Sequence, residues 1–237
     1  MEKNNQLTSL SVFMPAYNEA GNIKRTIQDA TRVVSKLSGK YEIIVVNDGS
    51  TDKTRKIVET MIKSDPHIRL ITHTSNQGYG AAVKSGLQAC KMDWIFFTDS
   101  DGQFKFDELN QFVEECGNKN LVIGYRRKRM DPFHRVFLAQ VLLKAWNYIL
   151  FGLTVRDVDC AYKLFHKSLL TKLSLETSSA ITVSEFIIKA KLSDYKIIEL
   201  PVTHYPREHG EQTGGNWRVI MRAALDSFSL FKELRLG

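Results

Sequence analysis

Cysteine is scarce in this chain. There are three in 237 residues, Cys90, Cys116 and Cys160, far apart and in no Cys-x-x-Cys pair. That excludes a zinc ribbon and a disulfide framework, and it fits a reducing compartment. Long apolar runs are missing too. No stretch reaches the ~20 apolar residues of a membrane span. The nearest, Phe137 to Leu153, is broken by Gln140, Lys144 and Asn147. Met1 to Thr8 is polar and does not read as a signal peptide. Low-complexity tracts and internal repeats are absent. There is no Gly-Lys-Ser/Thr, which argues against a P-loop NTPase. Zinc-finger spacing and an aromatic RNA-binding signature are also lacking, so nucleic acid is not an expected partner. The formal net charge is nevertheless +7. Basic residues crowd Lys119 to Arg135 and Arg207 to Arg222, a distribution suited to an anionic membrane surface or phosphorylated substrates.

What is present is an alternation of apolar runs and helical patterns. Leu10 to Met14 reads as a buried strand that stops at Pro15, because proline cannot donate to a central ladder. Gly21-Asn22 opens a helix with Ile23, Ile27, Ala30, Val34 and Leu37 at helical spacing, and Gly39 ends it. Tyr41 to Val46 is a second strand, apolar on both faces. Thr54 to Ile62 follows as a helix, with Ser50 to Asp52 supplying capping side chains. Ile68 to Ile71, Trp94 to Phe97 and Leu121 to Gly124 are further strands, separated by helices ending near Cys90 and spanning Asp107 to Cys116. This order predicts an α/β fold with a mostly parallel central sheet flanked by helices.

In such sheets ligands bind beyond the carboxyl ends of the strands. The polar clusters all fall there: Tyr17 to Glu19, Asn47 to Asp52, Asn76 to Gly80 and Asp99 to Gln103. The last is the focus. Residues i, i+2 and i+4 of an extended chain share a side, so Asp99, Asp101 and Gln103 converge on one point if the chain stays extended. Oxygen donors of this kind suit a hard divalent cation shared with substrate phosphates. An acidic turn is the simpler reading of the motif alone. Gly78-x-Gly80 is a weak dinucleotide signal, since the fingerprint should follow the first strand and carry a third glycine.

Together the clusters resemble the family-2 glycosyltransferases with the GT-A nucleotide-sugar-binding fold. The carriers are Val12-Phe13-Met14-Pro15-Ala16-Tyr17-Asn18-Glu19, Val45-Val46-Asn47-Asp48-Gly49-Ser50-Thr51-Asp52, Asn76-Gln77-Gly78-Tyr79-Gly80-Ala81-Ala82 and Asp99-Ser100-Asp101. They cover roughly residues 9–125. The second half resembles the dolichyl- and polyprenyl-phosphate sugar synthases through Ile123-Gly124-Tyr125-Arg126, Asp157 to Phe165, Ile198 to Val202 and Tyr205 to Glu211. Two departures stand out. Phe104-Lys105-Phe106 replaces the paired prolines often found after the metal motif, and Ala161-Tyr162-Lys163 stands where Gly-Phe-Arg is frequent. The Gln-x-x-Arg-Trp motif of processive polysaccharide synthases is absent.

The resemblance implies roles. Pro15, Tyr17, Glu19, Asp48 and Gly78 would line a nucleotide-sugar site. Asp101 and Gln103 would ligate Mg²⁺ or Mn²⁺, and Asp99 would contact metal, ribose or sugar. Arg126, Arg135, Arg207 and His209 would hold an acceptor phosphate, for which the planar guanidinium fork is suited. Asp99 and Asp157 are the candidate catalytic carboxylates, Asp157 the one near the acceptor. Lys128 and Arg129 read as a solvated loop.

The implied enzyme is a single GT-A domain, 1–237, with a nucleotide and metal half (9–125), an acceptor half (126–216) and a C-terminal amphipathic helix (217–237). It would invert configuration while moving a hexose from a GDP-mannose- or UDP-glucose-type donor to a polyprenyl or dolichyl phosphate. In the tail, Arg218, Arg222, Asp226 and Ser229 form a polar stripe opposite Ile220, Leu225, Phe228 and Phe231. This helix and the one over Phe137 to Leu153 suit peripheral attachment to the cytoplasmic face of a membrane. A small separate membrane subunit is an admissible anchor. His209 to Asn216 reads as a glycine-rich lid. Two rivals remain: a soluble relative acting on a saccharide or other hydroxyl acceptor, and a non-catalytic subunit that recruits a membrane partner.

Overall fold

A computed structural model describes residues 6–127, 148–179, 181–210 and 217–236, with side chains from 225 to 234 in the last segment. The first half alternates as the sequence predicts. Its elements are β1 (Leu10–Ala16), α1 (Ile23–Leu37), β2 (Tyr41–Asn47), α2 (Thr54–Ile62), β3 (Ile68–Thr72), α3 (Tyr79–Ala89) and β4 (Trp94–Phe97). A 3₁₀ turn (Phe106–Glu108), α4 (Leu109–Glu114) and β5 (Asn120–Arg126) follow. The second half contributes β6 (Lys163–His166), a 3₁₀ segment (Lys167–Lys172), α5 (Thr182–Leu192), β7 (Lys196–Val202) and α6 (Trp217–Leu236).

The strands form one seven-stranded sheet in the order β3-β2-β1-β4-β6-β5-β7. All pairings are parallel except those of β6, which runs antiparallel to both β4 and β5. The pleat sends alternate residues to opposite faces. Leu10, Val12 and Met14 of β1 join Ile23, Ile27, Ala30 and Val34 of α1 in one buried cluster. Phe13 points the other way, into a cluster with Ala82, Val83 and Leu87 of α3 and Phe186 and Ile187 of α5. Phe13 stacks on Phe97 at 4.8 Å between ring centroids. Burial of this kind is worth about 2–3 kcal/mol per large side chain.

Pro15 does not end β1, contrary to the expectation. It pairs with Val46 of β2. The last rung shared with β4 is Phe13↔Phe97. Thr98 N donates to Phe13 O and Ser100 Oγ to Pro15 O, so both odd-numbered residues face the β4 side. Pro15 therefore lies beyond the end of β4, where its missing N–H interrupts no ladder.

The expected helix over Phe137 to Leu153 is described only in its last turn, helical at 148–151; the rest, with Gln140, Lys144 and Asn147, lies outside the described residues. In α6 the buried side is Ser227 and Leu230, with Leu234 packed beside them. Leu225 and Phe228, expected on the inward or lipid-facing side, are exposed, Leu225 by 67%. Burial pushes all three thiols up to about 12, so none is a thiolate nucleophile at neutral pH.

Candidate functional site

The carboxyl ends of β1, β2 and β4 converge on one rim. After β1 the chain turns through Asn18, at φ +57, a left-handed conformation that asparagine tolerates. Its Oδ1 accepts from Thr51 N at 2.9 Å, and Asn18 N donates to Ser50 Oγ at 2.9 Å. These bonds tie the β1 and β2 loops together and leave Tyr17 partly exposed at the edge. Asp52 acts as expected of a cap, accepting from Thr54 N at 2.9 Å, and also from Ala20 N at 3.0 Å.

Asp48 is buried, and both its oxygens are engaged within the protein. Oδ1 accepts from Gln77 N at 2.9 Å and meets His73 Nδ1 at 2.7 Å; Oδ2 accepts from Gly78 N at 2.9 Å. The sequence reading put this carboxylate against a base or ribose. Here it holds the glycine loop, in which Gly78 adopts φ +96. Gly80 permits a close approach, because a Cβ there would overlap Ser179 O and Thr182 Oγ1. The loop it meets is held by Glu185, fully buried, which accepts from Glu176 N at 2.8 Å, Thr177 N at 2.9 Å and Thr177 Oγ1 at 2.6 Å.

Beyond β4 the chain does not stay extended. Gly102 sits at φ +76, and Asp101 Oδ1 accepts from Gln103 N at 3.0 Å. The three expected ligands are therefore arranged by a turn rather than along one side of a strand. Burial raises the pKa of Asp99 and of Asp101, and Asp101 adds to the rise at Asp99. Tyr79 donates its hydroxyl to Asp99 Oδ1 at 3.0 Å, which fixes one oxygen and leaves the other to a ligand. Gln103 donates Nε2 to Tyr205 O at 3.0 Å, so its amide oxygen is the atom left for a cation. Two half-buried carboxylates whose surroundings disfavour their charge, plus an amide oxygen, fit a hard divalent cation. Among the described residues no cluster of three or more His, Cys, Asp or Glu forms an all-protein cage. Such a set leaves coordination positions to phosphate oxygens.

Arg207 and His209, expected to hold an acceptor phosphate, pack against residues of the first half. Arg207 Nη2 pairs with Glu19, and its Nη1 lies 3.6 Å from Asp101 Oδ2. Its Nε donates to His209 O at 2.8 Å. Asn22 Nδ2 donates to Glu19 Oε2 at 2.8 Å and to His209 O at 3.0 Å. Residues 203–210 thus strap across the start of α1. Glu19, expected in the nucleoside pocket, is buried beneath the strap. Burial raises its pKa, and Asn22 and Arg207 oppose the rise.

Arg126 and Asp157, assigned separate roles from sequence, are partners. Arg126 donates Nε to Asp157 Oδ2 at 2.7 Å and Nη2 to Oδ1 at 2.9 Å. Both side chains are mostly buried, and burial opposes the charge on Arg126 while Asp157 raises its pKa. A carboxylate held in this fork is a poor general base. Arg135 lies outside the described residues.

Four residues were given no role from the sequence: His73, Tyr79, Lys163 and Glu185. The middle of Gly78-x-Gly80 marked Tyr79, and a lysine inside Ala161 to Phe165 marked Lys163. For Tyr79→Phe the expected outcome is a three- to tenfold rise in donor KM, about the worth of one hydrogen bond, with an unchanged melting temperature. Steady-state kinetics checks it; an unaltered KM means the phenol does not set Asp99.

The comparisons agree with this geometry. The model of the family described as "Glycosyl transferase family 2" matches residues 11–173. A dolichyl-phosphate beta-glucosyltransferase of Dictyostelium discoideum is 30% identical over 241 residues, covering 93% of this chain and 69% of that protein. Glucosyl-3-phosphoglycerate synthase from Mycobacterium tuberculosis, solved with Mn²⁺, UDP and glucosyl-3-phosphoglycerate, superposes with a TM-score of 0.70 at 19% identity, over 94% of this chain and 80% of that one. A mannosyltransferase from Pyrobaculum calidifontis, solved with GDP-Man and Mn²⁺, gives 0.66 at 21% identity, over 96% and 64%. The fold is the GT-A fold. The chain belongs to glycosyl transferase family 2.

Proposed function

We propose that this protein transfers a hexose, with inversion, from a nucleoside-diphosphate sugar to a polyprenyl or dolichyl phosphate. The observation that carries the acceptor class is the Arg126–Asp157 fork. A hydroxyl acceptor needs a base, usually Asp or Glu. The candidate base is committed to a guanidinium. A phosphate monoester is already anionic near neutral pH and needs positioning instead. Asp157 holds Nε and Nη2 of Arg126, which leaves Nη1 to meet the acceptor phosphate. Arg135 remains a second candidate for that phosphate. The name of the Dictyostelium discoideum relative supports the same acceptor.

In this reading the loops of Pro15 to Glu19 and Gly78 to Gly80 bind the nucleotide and its diphosphate. Asp99, fixed by Tyr79, faces a ribose or sugar hydroxyl. Asp101 and Gln103 would hold Mg²⁺ or Mn²⁺, which when bound neutralises charge on the leaving diphosphate. An acceptor phosphate oxygen then displaces that diphosphate at the anomeric carbon. The nucleotide-bearing structures of the neighbours support the donor class.

Attachment would be peripheral, on the cytoplasmic face of a membrane. Among the described residues no helix is long and apolar enough to cross one. Tyr148 and Ile149 are exposed, Ile149 by 74%, as are Leu225 and Phe228. The two segments meet through Phe151 and Phe231, with ring centroids 6.1 Å apart. The test is a transfer assay with short-chain polyprenyl phosphate, GDP-mannose and UDP-hexoses, with Mn²⁺ or chelator. Metal-dependent lipid-phosphate sugar is the expected product. Donor hydrolysis without lipid product would transfer support to a hydroxyl acceptor, and neither activity would favour a non-catalytic subunit.

A further inference from the structure

Lys163 is a fully buried charge with no part in the site as described above. It is 0% exposed in the middle of the sheet, opposite Phe97 of β4 and Ile123 of β5. Its ammonium donates to the carbonyls of Val158, at 3.2 Å, and Cys160. It also lies 5.8 Å from the centroid of the Phe97 ring, two residues before Asp99. Among the described residues no carboxylate is within ion-pairing reach of it. A buried ammonium without a counterion is expensive. Burial lowers its pKa, while Cys160, Asp157, Asp159 and Asp99 pull the other way. The two carbonyls it holds belong to the loop that begins with Asp157, the partner of Arg126. The strand it faces ends at Asp99. Arg207, a further cation at this rim, is divided between Glu19 and Asp101.

We infer that Lys163 is a positioning residue of the transfer site, fixing the Asp157–Cys160 loop against the end of β4 and placing an ammonium beneath the bound diphosphate. The inference rests on the transferase reading above.

The test uses the full chain with Lys163→Met, Lys163→Gln and Lys163→Arg. Calorimetric titration with UDP and GDP in Mn²⁺ reads the charge, and the transfer assay reads positioning. The neutral variants are expected to stay folded, Lys163→Met melting below wild type because the carbonyls of Val158 and Cys160 lose their donor. They should bind nucleotide about tenfold more weakly and turn over about a hundredfold more slowly, mostly in kcat. Lys163→Arg, which keeps the charge, should recover both to within about fivefold. Neutral variants within about twofold of wild type in both readouts overturn the inference. So does an arginine variant as impaired as the methionine one. Unfolding of both neutral variants also overturns it, because the ammonium then serves the fold. Wild-type protein that binds nucleotide but transfers nothing to polyprenyl phosphate refutes the acceptor reading alone, and the titration still decides Lys163.

Discussion

Asp101→Asn is expected to lower transfer by about three orders of magnitude while leaving the fold intact. The substitution is isosteric. The amide oxygen still accepts from Gln103 N, so the turn at Gly102 survives. What disappears is one of two half-buried carboxylates, the one whose charge raises the pKa of Asp99. Removing one relieves that repulsion in the metal-free protein, so thermal unfolding in chelator should show an equal or higher midpoint. In the loaded enzyme the same change removes an anionic ligand from the cation facing the leaving diphosphate. Arg207 also loses its contact at 3.6 Å but keeps Glu19, so the strap is not released. Unfolding curves and single-turnover transfer in Mn²⁺ check both halves. Activity within tenfold of wild type would falsify the metal assignment.

Arg126 is expected to separate stability from activity. Arg126→Met alone strips Asp157 of the guanidinium fork that holds both its oxygens, and breaking a buried pair of this kind costs about 3–5 kcal/mol. The pair Arg126→Met, Asp157→Leu removes both charges and should return most of that stability, since buried ion pairs are often replaced by apolar groups without loss. Transfer should not return. Both variants are expected to lose about a hundredfold or more in kcat/KM for polyprenyl phosphate, because the group meeting the acceptor is gone in each. Donor KM should stay near wild type. Urea denaturation gives the first quantity and acceptor titration the second. Recovery of transfer in the double variant would show that the fork serves the fold and that the acceptor binds elsewhere.

The parts of the molecule that were legible in the sequence are those set by neighbours along the chain. Thr54 to Ile62 is a helix with the bounds read from its pattern, and its cap at Asp52 is local. The polar ends of β1, β2 and β4 pointed to a rim because the strand–helix alternation dictates where they lie. Pro15 misled because its side of the ladder depends on where β4 ends, which no local rule supplies. Arg207 and Glu19 are 188 residues apart, and Gln103 and Tyr205 are 102 apart. Residues paired over such distances are read singly from sequence, so Arg207 was placed with the acceptor. The Arg126–Asp157 fork was missed for the same reason: each side chain looked chemically useful alone, and their mutual neutralisation is a tertiary fact.

The position of β6 has a consequence for how the chain is made. Its residues, Lys163–His166, emerge late, yet the strand lies between β4 and β5, both complete by residue 126. Until β6 arrives, one edge of β4 and both edges of β5 have no partner, because β7 comes later still. A nascent chain of the first half thus presents unpaired backbone of the kind that recruits other strands. Strands β4 and β5 reach their full pairing only when β6 and β7 have been made, and chains released or cleaved before residue 166 are expected to aggregate.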